Sequence, residues 1–385
     1  MTSQQDIPPA LTAGQPRRPY VIAVFNQKGG VAKTTTSTNL AICLAALNRS
    51  VTLIDLDSQG NATSSLGLTP APLTGAYQAL MGEAATVDVL SSTIYPKLTL
   101  MASSEALSSV DFDLALTDDP AGALDRFLKS GEVPSDYVVI DCPPTFSMVP
   151  VNALVAADAV VIPVHPSPLA HDGLIKAWGN IKRIQARMNR NLTVHGLLLT
   201  MMGDGETEQS MEQVIRQEFG NKVYDTVIPR DERVTDAAVK DIPVTVFDPS
   251  CKATRAYIDF AEEFILREPI LRHHRTPGGE DENVRIRPFR EDEHKDAIDA
   301  ALRTIAVWHE QIKHADRGPD FLEASQASPP TLDNPGQWAN LPEAPAPRTL
   351  PFGAFLAGAL IVVAFITGFV VGSWDAITQM LTQSP

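Results

Sequence analysis

The chain alternates short apolar runs with longer stretches of helical periodicity. Val21–Phe25, Val51–Leu56, Leu98–Met101, Tyr137–Ile140, Ala159–Val164, His195–Thr200 and Val223–Ile228 are strand-like, and most are continuous rather than alternating. Strands buried on both faces have that character, because neither face turns to water. Between them, Lys33 to about Leu47, Val149–Ala157, Leu169–Met188 and Glu208–Phe219 carry helical spacing. Repeated strand–helix units predict an α/β fold built on a doubly wound, mostly parallel sheet. Ligands are then expected at the carboxyl ends of its strands.

The two ends depart from that pattern. Residues 1–19 are polar, carry Pro8, Pro9 and Pro16, and lack the apolar centre of a signal peptide. They read as a flexible arm ahead of a body spanning 20–268. From 269 to 351 the composition turns to proline, glycine and charge, as in Pro277-Gly-Gly-Glu-Asp-Glu282, and reads as a linker. Within it Ile298, Ala301, Leu302, Ile305, Trp308 and Ile312 recur at helical spacing. They predict an amphipathic helix near 291–314 that docks on the body or pairs with its own copy. Residues 316–351, with Pro342-Glu-Ala-Pro-Ala-Pro347, read as a Pro-rich, semi-extended tether. Phe352 to Trp374 then runs without a charged side chain, long enough to cross a hydrocarbon core about 30 Å thick. Residues 352–374 are therefore expected to form one transmembrane helix and 375–385 a short tail. Arg348 and Asp375 on its flanks orient the body toward the cytoplasm.

Charge and cysteine usage narrow the partners. A formal net charge of −15 disfavours binding to a phosphate backbone. Cys43, Cys142 and Cys251 lie far apart and match neither a disulfide framework nor zinc spacing.

The chemistry concentrates in Phe25-Asn-Gln-Lys-Gly-Gly-Val-Ala-Lys-Thr-Thr-Thr36. A strand, a glycine-containing loop and a helix start, in that order, make an anion cradle. Loop N–H groups converge, the helix dipole points its positive end at the loop, and Lys33 adds a full charge. Thr34 brings a hydroxyl suited to Mg²⁺. Asp141 closes an apolar strand before Pro143-Pro144, where a carboxylate serves either a metal or a strand-end turn. Asp55 and Asp57, two apart at another strand end, share one face. Where the usual phosphate loop has Gly before its Lys-Thr pair, this chain has Ala32. A methyl group at a position of unusual backbone angles slows the chemistry or is accommodated.

Lys28-Gly-Gly-Val-Ala-Lys-Thr-Thr35 resembles the deviant Walker A box of the ParA/MinD group of ATPases. Val51–Thr63 resembles the second ParA motif, Asp136–Pro144 its Walker B strand, and Val223–Asp231 with Val246–Ser250 its late motifs. The similarity runs in family order over roughly 20–268. It implies an ATPase using ATP and Mg²⁺, slow and stimulated by a protein partner, that dimerises on ATP to position or partition a cargo (DNA or a protein complex). By resemblance, Lys28, Gly29, Gly30, Val31, Ala32, Lys33, Thr34 and Thr35 hold the nucleotide phosphates, and Pro229, Arg230 and Asp231 border the base. Lys28 reaches a partner subunit's nucleotide, Lys33 holds the β- and γ-phosphates, and Asp57 orients water. Thr34, Asp55, Asp57 and Asp141 form the metal shell. Asp231 stands where relatives have Asn, and Ser58 where they have Pro. Nonspecific DNA binding is a family expectation that the acidic balance disfavours. With the apolar segment 352–374, the expected location is a bacterial inner membrane, single-pass, with the ATPase body facing the cytoplasm. An ATP-gated membrane scaffold with little turnover is the alternative. An electron donor of the nitrogenase iron-protein kind shares the box, but these cysteines do not suit a cluster.

Overall fold

The computed structural model describes residues 18–130, 133–273, 286 and 288–315. β1 (Tyr20–Val24) leads through the glycine-containing loop into α1 (Lys33–Ala46) and β2 (Val51–Asp55). Short helices α2 (Asn61–Ser65), α3 (Ala76–Met81) and α4 (Thr86–Val89) precede β3 (Leu90–Ser92) and β4 (Leu98–Met101). Then come α5 (Val110–Ala115), α6 (Ala123–Ser130), β5 (Tyr137–Asp141), α7 (Met148–Ala156) and β6 (Ala159–Val164). α8 (Pro168–Arg187), β7 (Thr193–Met202), α9 (Glu206–Phe219) and β8 (Val223–Pro229) complete the alternation. α10 (Glu232–Val239), α11 (Val244–Phe247), α12 (Lys252–His273) and α13 (Lys295–Ala315) follow.

The strands pair in the order β3-β4-β2-β5-β1-β6-β7-β8, and only β3 runs antiparallel to its neighbour. Every residue of β1, β2, β5 and β6 is buried, which is why those runs are continuously apolar. Successive side chains go to opposite faces. Tyr20, Ile22 and Val24 join α1, α11, α12 and α13 in one core, while Val21, Ala23 and Phe25 join α3, α6, α7 and α8 in the other. β1 lies between β5 and β6, so the crevice where crossovers leave in opposite directions opens at its carboxyl end. The loop of residues 25–32 occupies that place.

α12 also closes the outer edge of β8. The Glu263 carboxylate accepts the N–H groups of Asp225 and Thr226, both at 2.9 Å, and Arg267 donates to the Val223 carbonyl at 3.0 Å. Those backbone groups would otherwise be left without a ladder. α13 covers α1, α11 and α12 with Ile298, Ala301, Ile305 and Trp308, and the Trp308 ring meets Tyr95 edge-on at 5.6 Å between centroids. The His309 imidazole pairs through Nδ1 with the Val246 carbonyl at 2.7 Å.

The differences from the sequence expectation have physical causes. β7 extends from Thr193 to Met202 rather than from His195 to Thr200, because polar Thr193 pairs within the sheet and buried Thr200 sits before two further methionines. β3 and the small helices between residues 61 and 115 are too short to show a period. The expected inner-membrane location is overturned: among the described residues no helix is long and apolar enough to cross a membrane. The segment 352–374 that carried the expectation lies outside the described residues, as do the arm before residue 18 and the tether beyond 315.

Candidate functional site

The loop between β1 and α1 is pinned to β6 and β7 and braced by a bond of its own. Asn26 donates through Nδ2 to the Pro163 carbonyl in β6 (2.8 Å) and accepts the Lys28 N–H on Oδ1 (3.0 Å). Thr200 of β7 donates to the Val31 carbonyl at 3.2 Å. Between these pins Gly29 and Gly30 are exposed, and a Cβ built on either would meet no atom within 4 Å. Gly30 has φ 70°, and Ala32, at φ 63° and ψ 35°, adopts the same left-handed conformation. Ala32 therefore takes the backbone shape that glycine gives more cheaply. Its carbonyl accepts the Thr36 N–H at 2.8 Å and so opens α1. No side chain caps that helix and no acidic residue lies in its first turn. The first-turn N–H groups thus keep their capacity for an anion.

Lys33 is buried, and its Nζ donates to the Lys28 carbonyl at 3.1 Å. Burial draws its pKa below the ordinary lysine value, opposed by the carboxylate of Asp141. At the end of β5, Asp141 accepts Thr34 Oγ1 on Oδ2 (2.7 Å) and Ser37 Oγ on Oδ1 (2.8 Å). Ser37 and Thr34 are one helical turn apart, so α1 presents both hydroxyls on one face. Asp55 is the register neighbour of Asp141 across β2 and β5. Burial, and for Asp141 the neighbouring Asp55 carboxylate, raise both acids above the usual carboxylate range.

The remaining expected residues divide sharply. The oxygens of Asp55 are taken within the protein: Oδ1 accepts the Asp57 N–H at 3.1 Å, and Oδ2 accepts both the N–H and the hydroxyl of Thr63, at 2.8 and 2.7 Å. Asp57 is half-buried, and its carboxylate accepts the Gln59 N–H at 3.0 Å. Thr35 lies at the start of α1, where its carbonyl accepts Asn39 Nδ2 at 2.7 Å. The stem of Lys28 rests against Gly173 of α8, whose built Cβ would stand 3.6 Å from the Lys28 Cβ. Arg230 is exposed and pairs with Glu208 at 3.4 Å, and its N–H donates to the Met202 carbonyl. Pro229 ends β8. Asp231 caps α10 through the Arg233 N–H (3.0 Å) and also accepts the Ala253 N–H (3.3 Å), so its carboxylate is committed to joining two helices.

Sequence reasoning missed Asn26, Ser37 and Thr200, which hold the loop and Asp141. It also missed a cavity of about 300 Å³ beside Thr34 and Thr35, walled by Asn61 on one side and by Val234, Ala237 and Ile242 on the other. The only available signal for Ser37 was its position three residues after Thr34. Among the described residues no group of three or more His, Cys, Asp or Glu side chains forms a metal cage. A hard cation fits the oxygen pair of Thr34 and Asp141, which already lie 2.7 Å apart beside an open cradle. Cys43 and Cys142 are fully buried, so neither is placed to bridge a cluster.

Residues 20–194 match the family model described as an AAA domain. Over 246 residues the chain is 37% identical to the sporulation initiation inhibitor protein Soj of Bacillus subtilis, covering 63% of this chain and 97% of that protein. It is 39% identical over 254 residues to the chromosome partitioning protein ParA of Caulobacter vibrioides, covering 64% and 94%. Among solved structures, cobyrinic acid a,c-diamide synthase from Mycobacterium smegmatis with bound ATP analog and magnesium gives a TM-score of 0.57 at 28% identity, covering 68% of this chain and 100% of that one. The septum site-determining protein MinD of Pyrococcus horikoshii, complexed with Mg-ADP, shares the fold at 23% identity and a TM-score of 0.53, covering 64% and 95%.

Proposed function

The chain belongs to the ParA/Soj family of P-loop ATPases, and from that premise we propose that it is a nucleotide-dependent switch that partitions or positions a cargo, DNA or a protein complex. It hydrolyses ATP to ADP and phosphate with Mg²⁺. The observation that carries the reading is the loop itself: two lysines, Lys28 and Lys33, flank an exposed Gly29-Gly30 turn at the start of an uncapped helix.

In this reading Lys33 leaves the Lys28 carbonyl for the β- and γ-phosphates, and the first-turn N–H groups of α1 cradle the remaining charge. Val31 and Ala32 supply the backbone of the cradle, and Thr35 stands over the α-phosphate. Thr34 and Asp141 would hold Mg²⁺, with Ser37 keeping Asp141 oriented. Bound there, the ion would supply charge neutralisation at the phosphates. Asp57, whose carboxylate is the least committed of the three acids, orients the attacking water. Asp55 acts from behind it, as the partner of Thr63 and of the Asp57 backbone. The cavity beside Thr34 and Thr35 takes the nucleoside, with Val234, Ala237 and Ile242 as its apolar wall. Pro229, Arg230 and Asp231, which the family motif assigns to the border of the base, precede this wall in the chain; the helix that Asp231 caps supplies Val234 and Ala237.

Lys28 makes the switch a dimer: it lifts from Gly173 and reaches the nucleotide of a second copy, so ATP binding and dimerisation become one equilibrium. A protein partner then stimulates a slow hydrolysis, which resets the switch. Sedimentation of the Asp57→Ala chain tests this. A dimer with ATP, a monomer with ADP and a monomer with ATP in Lys28→Ala/Asp57→Ala are expected; one mass under all conditions would remove dimerisation from the cycle.

A second reading, an ATP-gated scaffold with little turnover, is favoured by Ala32 in its left-handed conformation. Equal, negligible phosphate release by wild type and Asp57→Ala, with candidate partners added, would select it. For the cargo, ATP-dependent and salt-sensitive retention on random duplex DNA supports a DNA load. Absence of retention at low salt leaves a protein complex.

A further inference from the structure

Asp57 belongs to a loop that the structure holds by a closed ring of hydrogen bonds, buried at Asp55, Thr63 and Ser103 and part-buried where it reaches Asp57. Its N–H donates to Asp55 Oδ1 at 3.1 Å. The other Asp55 oxygen accepts the N–H and the hydroxyl of Thr63 in α2, at 2.8 and 2.7 Å. The Thr63 hydroxyl, its proton committed to Asp55, accepts the Ser103 N–H at 2.9 Å. The Ser103 hydroxyl closes the ring by donating to the Asp57 carbonyl at 2.6 Å. That carbonyl also accepts the Gly60 N–H at 2.9 Å.

We propose that Thr63 and Ser103 are positioning residues that fix the Asp57 backbone for hydrolysis, an inference that rests on the reading above in which Asp57 orients water. The ring joins three elements: the end of β2, the first turn of α2 and the segment just after β4. Asp55, Thr63 and Ser103 are 0%, 2% and 1% exposed, so the bonds among these three are shielded from bulk water. α2 begins at Gly60 without a side-chain cap, and Asp55 supplies the acceptor for one of its first-turn donors. Both backbone polar groups of Asp57 are held from behind. Its carboxylate, bonded in this conformation to the Gln59 N–H, is left as the part that turns. An acid that must meet a water molecule within a fraction of an ångström gains from such an anchor.

The test uses the full chain with ATP and Mg²⁺. Ser103→Ala and Thr63→Val are expected to lower kcat about tenfold while leaving KM for ATP within about twofold. Thr63→Ser, which keeps the hydroxyl, recovers the rate. Wild-type kcat in both deletions overturns the proposal. So does a joint loss of kcat, ATP affinity and thermal midpoint that Thr63→Ser does not repair, because that pattern marks a purely structural role. Asp57→Ala run beside them separates the two failures. If it is slow while Ser103→Ala is not, the ring alone falls; if it turns over at the wild-type rate, the role given to Asp57 falls with it.

Discussion

Ala32→Gly is the most informative single change. The residue holds φ 63° and ψ 35° at the junction of loop and α1, a conformation that brings the Cβ of an L-residue toward its following carbonyl oxygen. That contact costs roughly 1–2 kcal/mol. Glycine removes it but gives the unfolded chain more freedom, worth about 0.4–1 kcal/mol in the other direction. The difference of the mid-values predicts that Ala32→Gly stabilises the protein by about 0.8 kcal/mol, within bounds of about 0 and 1.6. A body of this size moves its thermal midpoint by about 2–4 °C per kcal/mol, so an increase of about 2 °C is expected. Urea denaturation of the two full-length proteins, with equal m-values, measures the difference directly. A less stable Ala32→Gly protein would refute the reasoning, because it would mean that the methyl group makes a favourable contact that outweighs the backbone cost.

Three further predictions follow from the geometry. Thr34→Val removes one of two hydroxyls from Asp141 and is expected to weaken the Mg²⁺ dependence of ATP binding at least about tenfold, measured by titrating Mg²⁺ at fixed nucleotide. Asp55 and Asp141 keep their protons in the folded state at pH values where the unfolded chain has released them. Without nucleotide, stability should therefore decline as pH rises from the ordinary carboxylate range toward neutrality, and Asp55→Asn should flatten that slope in urea melts; an unchanged slope would exclude the pair as its source. Trp308→Ala empties the contact between α13 and Tyr95 and is expected to cost about 3 kcal/mol, read as faster hydrogen exchange in α13 than in the strands.

Much of the sheet was legible because burial on both faces writes β1, β2, β5 and β6 as unbroken apolar runs. β3 was not, since two of its three residues are serines and the third shows no period. The loop was legible to the level of Ala32, which stands where glycine is usual and adopts the angles of glycine. What the acids do was less so. Asp55, Asp57 and Asp141 look alike as strand-end carboxylates, yet Asp55 spends its oxygens on Thr63 and Asp57, whereas Asp141 faces two hydroxyls of α1. Ser103 is forty residues from Thr63, and only the fold brings them together. Asp231 reads as a site residue by its motif, but capping α10 already engages it.

The two margins of the sheet limit how copies of this protein can meet. On one side, β8 has N–H and carbonyl groups already bound by Glu263 and Arg267. On the other, β3 offers three residues, too short a template for another strand. Among the described residues neither margin offers a ready template for a further strand, so the dimer proposed above would form through loops and helices. Such contacts would form and dissolve without unpicking a ladder, as the proposed switch requires.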